Sequence, residues 1–158
     1  MFDLDKSIQV FCNRGTSGID GSTSTAIGAS SISDIPTILI TGDISFLYDS
    51  NALWNNYISK NFKIVLLNNG GGGIFRILPG HQDTETFNTF FETSHQLNAS
   101  HLAKMYNFEY YTATDELSLE SSFNSFLHQN TNPCIIEIFT PEKSNNTVLL
   151  NFFSALKK

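Results

Sequence analysis

The sequence predicts an α/β fold, a doubly wound, mainly parallel sheet with helices on both faces, formed as a single domain by residues 1–158. Apolar segments alternate with helical ones along the chain, which is typical of parallel strands joined by right-handed crossovers. Residues 62–67 are almost continuously apolar, as expected for a strand covered on both faces. A chain of 158 residues with 41% hydrophobic content is long enough to bury one core.

The predicted elements follow from local pattern. Segments rich in β-branched and apolar residues predict strands at 8–12, 37–41, 62–67, 109–112 and 134–139. Small residues or helical spacing predict helices at 22–33, 46–60, 99–106, 115–129 and 148–156, with Thr114 as the N-cap of the fourth. Residues 70–98 are too many for an ordinary connection, so we expect a binding loop or lid there.

Composition excludes several classes of function. The formal net charge is −6 and the nine basic residues are scattered, which argues against nucleic acid as a partner. No apolar run is long enough to span a membrane, and no secretory leader is recognisable, so we expect a cytoplasmic protein. Cys12 and Cys134 lie in apolar, strand-like segments and are predicted to be buried, reduced thiols.

Polar residues and glycines follow two successive predicted strands. Asp43 comes after the first, and the second runs into Asn68, Asn69 and the glycines of 70–73. In parallel sheets, ligands bind beyond the carboxyl ends of the strands. Carboxylate and amide oxygens suit Mg²⁺, and glycines let a backbone approach phosphate closely. The pattern therefore predicts a site for a divalent cation and a diphosphate.

The same residues can be interpreted in ways other than a site for a cation and a diphosphate. The glycines lack the spacing of a dinucleotide-binding fingerprint and the Lys of a P-loop. Taken separately, Asp43 is also a plausible helix N-cap and the two asparagines a turn, and a non-catalytic phosphate-binding module would show the same pattern. The histidines have no metal-ligand spacing, which makes zinc improbable. Glu92, His95 and Asp83 offer acid–base groups, but nothing in their spacing distinguishes them.

The spacing from Gly42-Asp43 to Asn68-Asn69 resembles the cofactor-binding motif of the thiamin-diphosphate enzymes. Residues 13–26, 42–49 and 51–53 further resemble the branch formed by the 2-succinyl-5-enolpyruvyl-6-hydroxy-3-cyclohexene-1-carboxylate synthases of menaquinone biosynthesis. Ile44 stands where the general motif has Gly, and this departure agrees with that branch. The resemblance extends over essentially the whole chain and implies the diphosphate-binding fold of these enzymes.

The resemblance implies a set of cofactor ligands. Asp43 and Asn69 would be side-chain ligands of Mg²⁺, and the backbone carbonyl of Gly71 a third ligand. Ser45 and the backbone around Gly42 would contact the diphosphate of thiamin diphosphate.

The same resemblance implies residues that shape the active site. Ile19 would be the apolar wedge beneath the bent cofactor, although from sequence alone it is also an ordinary core residue. Arg14 would lie in the substrate pocket, where its guanidinium suits a carboxylate; a surface ion pair is the alternative. Ile74 and Phe75 would line the active site, and they are equally plausible as loop anchors.

The implied reaction is decarboxylation of 2-oxoglutarate followed by addition of the succinyl unit to isochorismate. The activating glutamate of these enzymes lies on a separate pyrimidine-binding domain, which we do not recognise in this chain. We therefore expect the C-terminal part of a longer, homo-oligomeric enzyme (at least a dimer), inactive without its pyrimidine-binding domain. The alternative is the corresponding domain of another thiamin-dependent carboligase or decarboxylase, such as an acetolactate synthase.

Overall fold

A computed structural model describes residues 4–13, 15–16, 18–78, 80 and 82–156. Four parallel strands form one sheet in the order β1-β2-β4-β3. The strands are β1 (Thr37–Gly42), β2 (Phe62–Asn68), β3 (Glu109–Ala113) and β4 (Cys134–Phe139). The parallel α/β architecture predicted from the sequence is confirmed.

Helices cover the two faces of the sheet. The α-helices are α1 (Ser22–Ser31), α2 (Asp43–Tyr48), α3 (Glu85–Phe87), α4 (Ser100–Met105), α5 (Glu116–His128) and α6 (Asn145–Leu156). On one face, Ile27, Phe46 and Ala103 of α1, α2 and α4 pack in one cluster with inward-facing residues of β2 and β4. On the other face, Phe126 of α5 packs with Cys134 and further residues of β2 and β4. None of the helices in the described residues is long and apolar enough to cross a membrane.

The predicted first strand, residues 8–12, is absent. Those residues are exposed coil; Phe11 is 86% exposed. An alternating pattern shows only that a segment suits a strand, and the strand forms only where a neighbouring backbone pairs with it. Cys12 is consequently exposed, so the prediction of two buried thiols is wrong for Cys12 and right for Cys134. Burial raises the pKa of the Cys134 thiol to about 11.

The predicted helix at 46–60 is also different. Helix α2 already begins at Asp43, and a 3₁₀ turn over Ser50–Trp54 replaces its later part. Asp49, at the end of α2, accepts hydrogen bonds from the backbone N–H and the hydroxyl of Ser24 in the first turn of α1. A carboxylate is favourable at the N-terminus of a helix, here that of α1. Asp49 thus joins α1 to the end of α2.

Helix α5 is fastened at both ends. Asp115, one residue after the predicted Thr114, is its N-cap and forms a capping box with Ser118. At the other end the buried ammonium of Lys63 on β2 donates to the carbonyls of Phe126, Leu127 and Gln129. Lys63 therefore satisfies the last carbonyls of α5 from the neighbouring sheet.

The described residues between 70 and 98 contain more regular structure than their sequence suggests. A 3₁₀ turn (Gly73–Ile77), α3 and a π-turn (Asn88–Glu92) follow one another. Arg76 and Glu92 form a buried ion pair that joins the first and last of these turns. The rings of Phe75 and Phe91 pack edge to face with centroids 5.8 Å apart. The segment thus packs over the end of β2.

Candidate functional site

Asp43 lies at the junction of β1 and α2. The N-cap of α2 is Gly42, so Asp43 is the first helical residue and the N-cap alternative is wrong. Its side chain is buried, only 3% exposed. Oδ1 accepts the backbone N–H of Ile44 at 2.7 Å, and Oδ2 accepts that of Gly71 at 3.0 Å. Backbone groups from two strand ends therefore hold this carboxylate in place.

His95 is the site residue that the sequence did not distinguish from the other acid–base groups of its segment. Its Nε2 lies 3.4 Å from Oδ2 of Asp43, and its side chain is 11% exposed. Its backbone N–H donates to the carbonyl of Gly70 at 2.9 Å. No spacing motif marks His95, since its neighbours come from the ends of two strands far away in sequence. The only available signal was its place in the long segment that follows the glycines.

The two asparagines after β2 have different surroundings. Asn68 is buried; its amide donates to the carbonyl of Leu97 and to Glu137, and its oxygen accepts the N–H of Gly70. Asn69 borders two cavities of about 320 and 230 Å³. No hydrogen bond joins Asn69 to Asp43 among the described residues. Asn68 thus has a structural role, while Asn69 is the asparagine that lines the cavities.

The glycine run meets the protein's own backbone closely. Its four N–H groups all have acceptors within the chain, namely Asn68 Oδ1 for Gly70, Asp43 Oδ2 for Gly71, Glu92 O for Gly72 and Gly71 O for Gly73. A Cβ on Gly71 would stand 2.7 Å from the Glu92 carbonyl oxygen. The glycines therefore let residues 91–95 pack onto the site, and in this conformation they present no unpaired N–H to a phosphate.

The remaining predicted residues surround α2 and the glycine run. The hydroxyl of Ser45 donates to the carbonyl of Ile19 at 2.9 Å and lies 2.8 Å from that of Ser22. This links the segment carrying Ile19, whose side chain is 42% exposed, to the first turn of α2. Ile74 is 60% exposed and borders the smaller cavity beside Asn69.

Phe75 and Arg14 complete the set of predicted site residues. Phe75 packs on Phe91, as the loop-anchor interpretation expects. Arg14 lies outside the described residues.

The donors around Asp43 are of a kind that suits Mg²⁺. Among the described residues, no lysine or arginine pairs with this buried carboxylate, and the ionisable side chain that lies against it is the imidazole of His95. Asn69 and Gly71, which follow β2, carry an amide oxygen and a carbonyl oxygen, and the N–H of Gly71 contacts the Asp43 carboxylate. Hard oxygen donors of this type are the ligands that Mg²⁺ prefers. Within the same described part, no three His, Cys, Asp or Glu residues form a cluster that could hold a metal ion.

The chain is similar to thiamine pyrophosphate enzymes over most of its length. Residues 2–138 match the family described as thiamine pyrophosphate enzyme, C-terminal TPP binding domain. A relative from Flavobacterium psychrophilum, named 2-succinyl-5-enolpyruvyl-6-hydroxy-3-cyclohexene-1-carboxylate synthase, is 66% identical over 99% of this chain. A relative of the same name from Flavobacterium johnsoniae is 61% identical over the same share. The chain spans 28% of the length of both relatives.

A solved structure shares the fold. The thiamine diphosphate-dependent 4-hydroxybenzoylformate decarboxylase of Rhodococcus jostii RHA1 superposes with a TM-score of 0.58 and 27% identity. The superposition covers 73% of this chain and 22% of the decarboxylase. The family match covers most of the sequence, and the strand ends that carry Asp43 and the glycines fall within it. The chain belongs to the family of C-terminal TPP-binding domains of thiamine pyrophosphate enzymes.

Proposed function

We propose that this chain is the diphosphate- and Mg²⁺-binding part of a synthase that decarboxylates 2-oxoglutarate and adds the succinyl unit to isochorismate. The observation that carries the proposal is similarity to synthases of that name over 99% of the chain. The buried Asp43 carboxylate at the carboxyl end of β1 supports the location of the site.

The residues present fit the cofactor and its cation. Asp43 and Asn69 would bind Mg²⁺ through side-chain oxygens and Gly71 through its carbonyl, while Ser45 and the backbone at Gly42 would contact the diphosphate. Thiamin diphosphate, when bound, supplies an electron sink for the decarboxylation. The chain's own contribution is to bind the diphosphate and fix its orientation.

Further residues would shape the pocket for the substrates. Ile19 would support the bent cofactor, and its segment is held to α2 by Ser45. Ile74 and Phe75 would line the pocket, and Arg14 would bind a substrate carboxylate. A pyrimidine-binding domain is the expected partner, supplied by the same enzyme in a homo-oligomer.

A hybrid synthase tests the proposal. In it, this chain replaces the matching 28% of the Flavobacterium psychrophilum relative. CO₂ release and isochorismate consumption are measured with 2-oxoglutarate, and CO₂ release is measured with pyruvate and with 4-hydroxybenzoylformate. We expect turnover with 2-oxoglutarate that requires both Mg²⁺ and thiamin diphosphate. Turnover of another 2-oxo acid alone would instead assign a different thiamin-dependent activity, and cofactor binding without turnover would favour a binding module.

The isolated chain gives a second measurement. We expect calorimetry to detect weak binding of thiamin diphosphate with Mg²⁺, and no synthase activity, since the chain supplies only half of the proposed site. Adding the remaining part of the relative as a separate chain should strengthen cofactor binding and produce synthase activity. Synthase activity from the isolated chain would contradict the division of the site between two domains.

A further inference from the structure

We propose that His95 is a positioning residue of the cation site, whose Nε2–H holds the Asp43 carboxylate without touching the cation. This inference rests on the proposed function, because it assigns a role in binding Mg²⁺. It goes beyond that function by adding a residue from the segment that packs over the glycines.

Hydrogen bonding fixes where the imidazole proton lies. Nδ1 of His95 is 3.1 Å from the backbone N–H of Leu97 and accepts from it. A neutral imidazole that accepts at one nitrogen carries its proton on the other. The proton is therefore on Nε2, which faces Oδ2 of Asp43 at 3.4 Å.

This N–H is a buried donor without a bond of its own. Nε2 is inaccessible to solvent and has no hydrogen-bond partner among the described residues. Leaving a buried donor unpaired is unfavourable. Asp43 offers the acceptor that faces it, and a movement of a few tenths of an ångström would bring the two atoms within about 3.0 Å.

The lone pairs of Asp43 show what this bond achieves. Oδ2 already accepts the Gly71 N–H, so a second bond from His95 would use both of its lone pairs. Oδ1 accepts only the N–H of Ile44 among the described residues, which leaves it one lone pair for a cation. The imidazole thus fixes the orientation of the carboxylate and leaves Oδ1 as the oxygen that can bind a cation.

His95 also ties two parts of the site together. Its backbone N–H holds the carbonyl of Gly70, while its side chain faces Asp43. One residue therefore links the glycine run after β2 to the carboxylate after β1. Groups that orient a metal-bound carboxylate in this way typically change metal affinity about 10- to 100-fold when they are removed.

Three variants of the hybrid synthase test the inference. His95→Phe keeps a ring and removes the donor, and His95→Gln keeps an N–H donor and an acceptor. His101→Ala, at an exposed position of α4, is the matched control. Mg²⁺ is titrated calorimetrically at saturating thiamin diphosphate, and thermal unfolding is recorded without Mg²⁺. We expect His95→Phe to weaken Mg²⁺ affinity about 10- to 100-fold, His95→Gln to lose less, and His101→Ala to match the wild type.

The outcomes separate the inference from the function beneath it. A wild-type hybrid that binds neither Mg²⁺ nor cofactor would refute the proposed function, and the inference with it. If the wild type binds Mg²⁺ and the folded His95→Phe variant binds it equally well, only the role of His95 is overturned. A structural role alone would lower the unfolding temperature and leave Mg²⁺ affinity unchanged. Should His95→Phe not fold, His95→Met, which also lacks the donor, decides in its place.

Discussion

Two buried carboxylates, Glu137 within the sheet and Asp43 just beyond the end of β1, differ in how completely they are hydrogen-bonded. Glu137 on β4 is fully buried and accepts from the Asn68 amide, the Ala99 N–H and the Tyr110 hydroxyl. Asp43 accepts two backbone N–H groups, and its third neighbour, the His95 imidazole, stands 3.4 Å away. All the donors around Glu137 are within hydrogen-bond distance, whereas the His95 imidazole beside Asp43 does not form a hydrogen bond.

The difference indicates which carboxylate serves the fold and which serves a ligand. Donors to Glu137 come from the end of β2, the start of α4 and β3, so that this carboxylate joins three elements. A buried charge that is completely hydrogen-bonded stabilises one arrangement of its neighbours. Asp43 lies at the carboxyl end of its strand and keeps acceptor capacity that a cation could use. Four predictions test this contrast.

The largest effect is expected for Asp43→Asn in the hybrid synthase. The amide removes the negative charge but keeps the size of the side chain, so Mg²⁺ would lose the one carboxylate ligand that we propose for it. We expect Mg²⁺ affinity to fall by more than the roughly 100-fold seen on losing an outer partner. Thermal stability without Mg²⁺ should fall by about 1–3 kcal/mol as well, because the Asn NH₂ group must face the N–H of Ile44 or of Gly71. Calorimetric titration and thermal unfolding provide the two readouts, and unchanged Mg²⁺ binding would remove Asp43 from the cation site.

Sequence pattern predicted the sheet well because burial leaves a direct signature. The strand at Cys134–Phe139 matches its prediction, since its apolar residues are covered on both faces. Residues 8–12 have the same kind of pattern, yet strand formation depends on a paired neighbour that composition does not reveal. Asp43 and Gly71 were predicted at one site, and the hydrogen bond between them agrees with that. His95 could not be predicted, because only the three-dimensional path of residues 88–98 brings it to Asp43.

The second prediction concerns the close contact between the glycines of residues 70–73 and the backbone of residues 91–95, where a Cβ has no room. In Gly71→Ala the new Cβ would stand 2.7 Å from the Glu92 carbonyl oxygen, so a backbone segment must shift. We expect a loss of about 3 kcal/mol of unfolding free energy, together with weaker Mg²⁺ binding. Gly70→Ala is the matched variant, since Gly70 has φ of 75° but a milder contact of 3.3 Å to the His95 carbonyl oxygen. It should cost about 1–2 kcal/mol. Equal costs in urea unfolding would contradict this ranking.

Glu137→Gln is expected to affect the fold and not the site. One position of the Gln side chain must carry an NH₂ group, which would then face a donor from Asn68, Ala99 or Tyr110. The mismatch should cost about 1–3 kcal/mol of unfolding free energy. Mg²⁺ affinity of the folded variant should stay near that of the wild type. A fall in Mg²⁺ affinity as large as that of Asp43→Asn would mean that the two carboxylates do not have separate roles.

The smallest effect should appear at alkaline pH, through the tyrosine that donates to Glu137. Burial, followed by the hydrogen bond and charge of Glu137, raises the pKa of Tyr110 well above the ordinary 10.0. The unfolded chain therefore ionises this tyrosine first, and its contribution to stability is complete below pH 10 and declines as the pH rises further. Tyr110→Phe should lower stability by about 1 kcal/mol near neutral pH. The gap to the wild type should narrow in urea titrations above pH 10. In the Glu137→Gln background, the change with pH in the stability difference between Tyr110 and Phe should become smaller but remain. The reason is that burial is the larger cause of the raised pKa of Tyr110. If that pH dependence disappeared completely, the charge of Glu137 would be the dominant cause of the raised pKa of Tyr110.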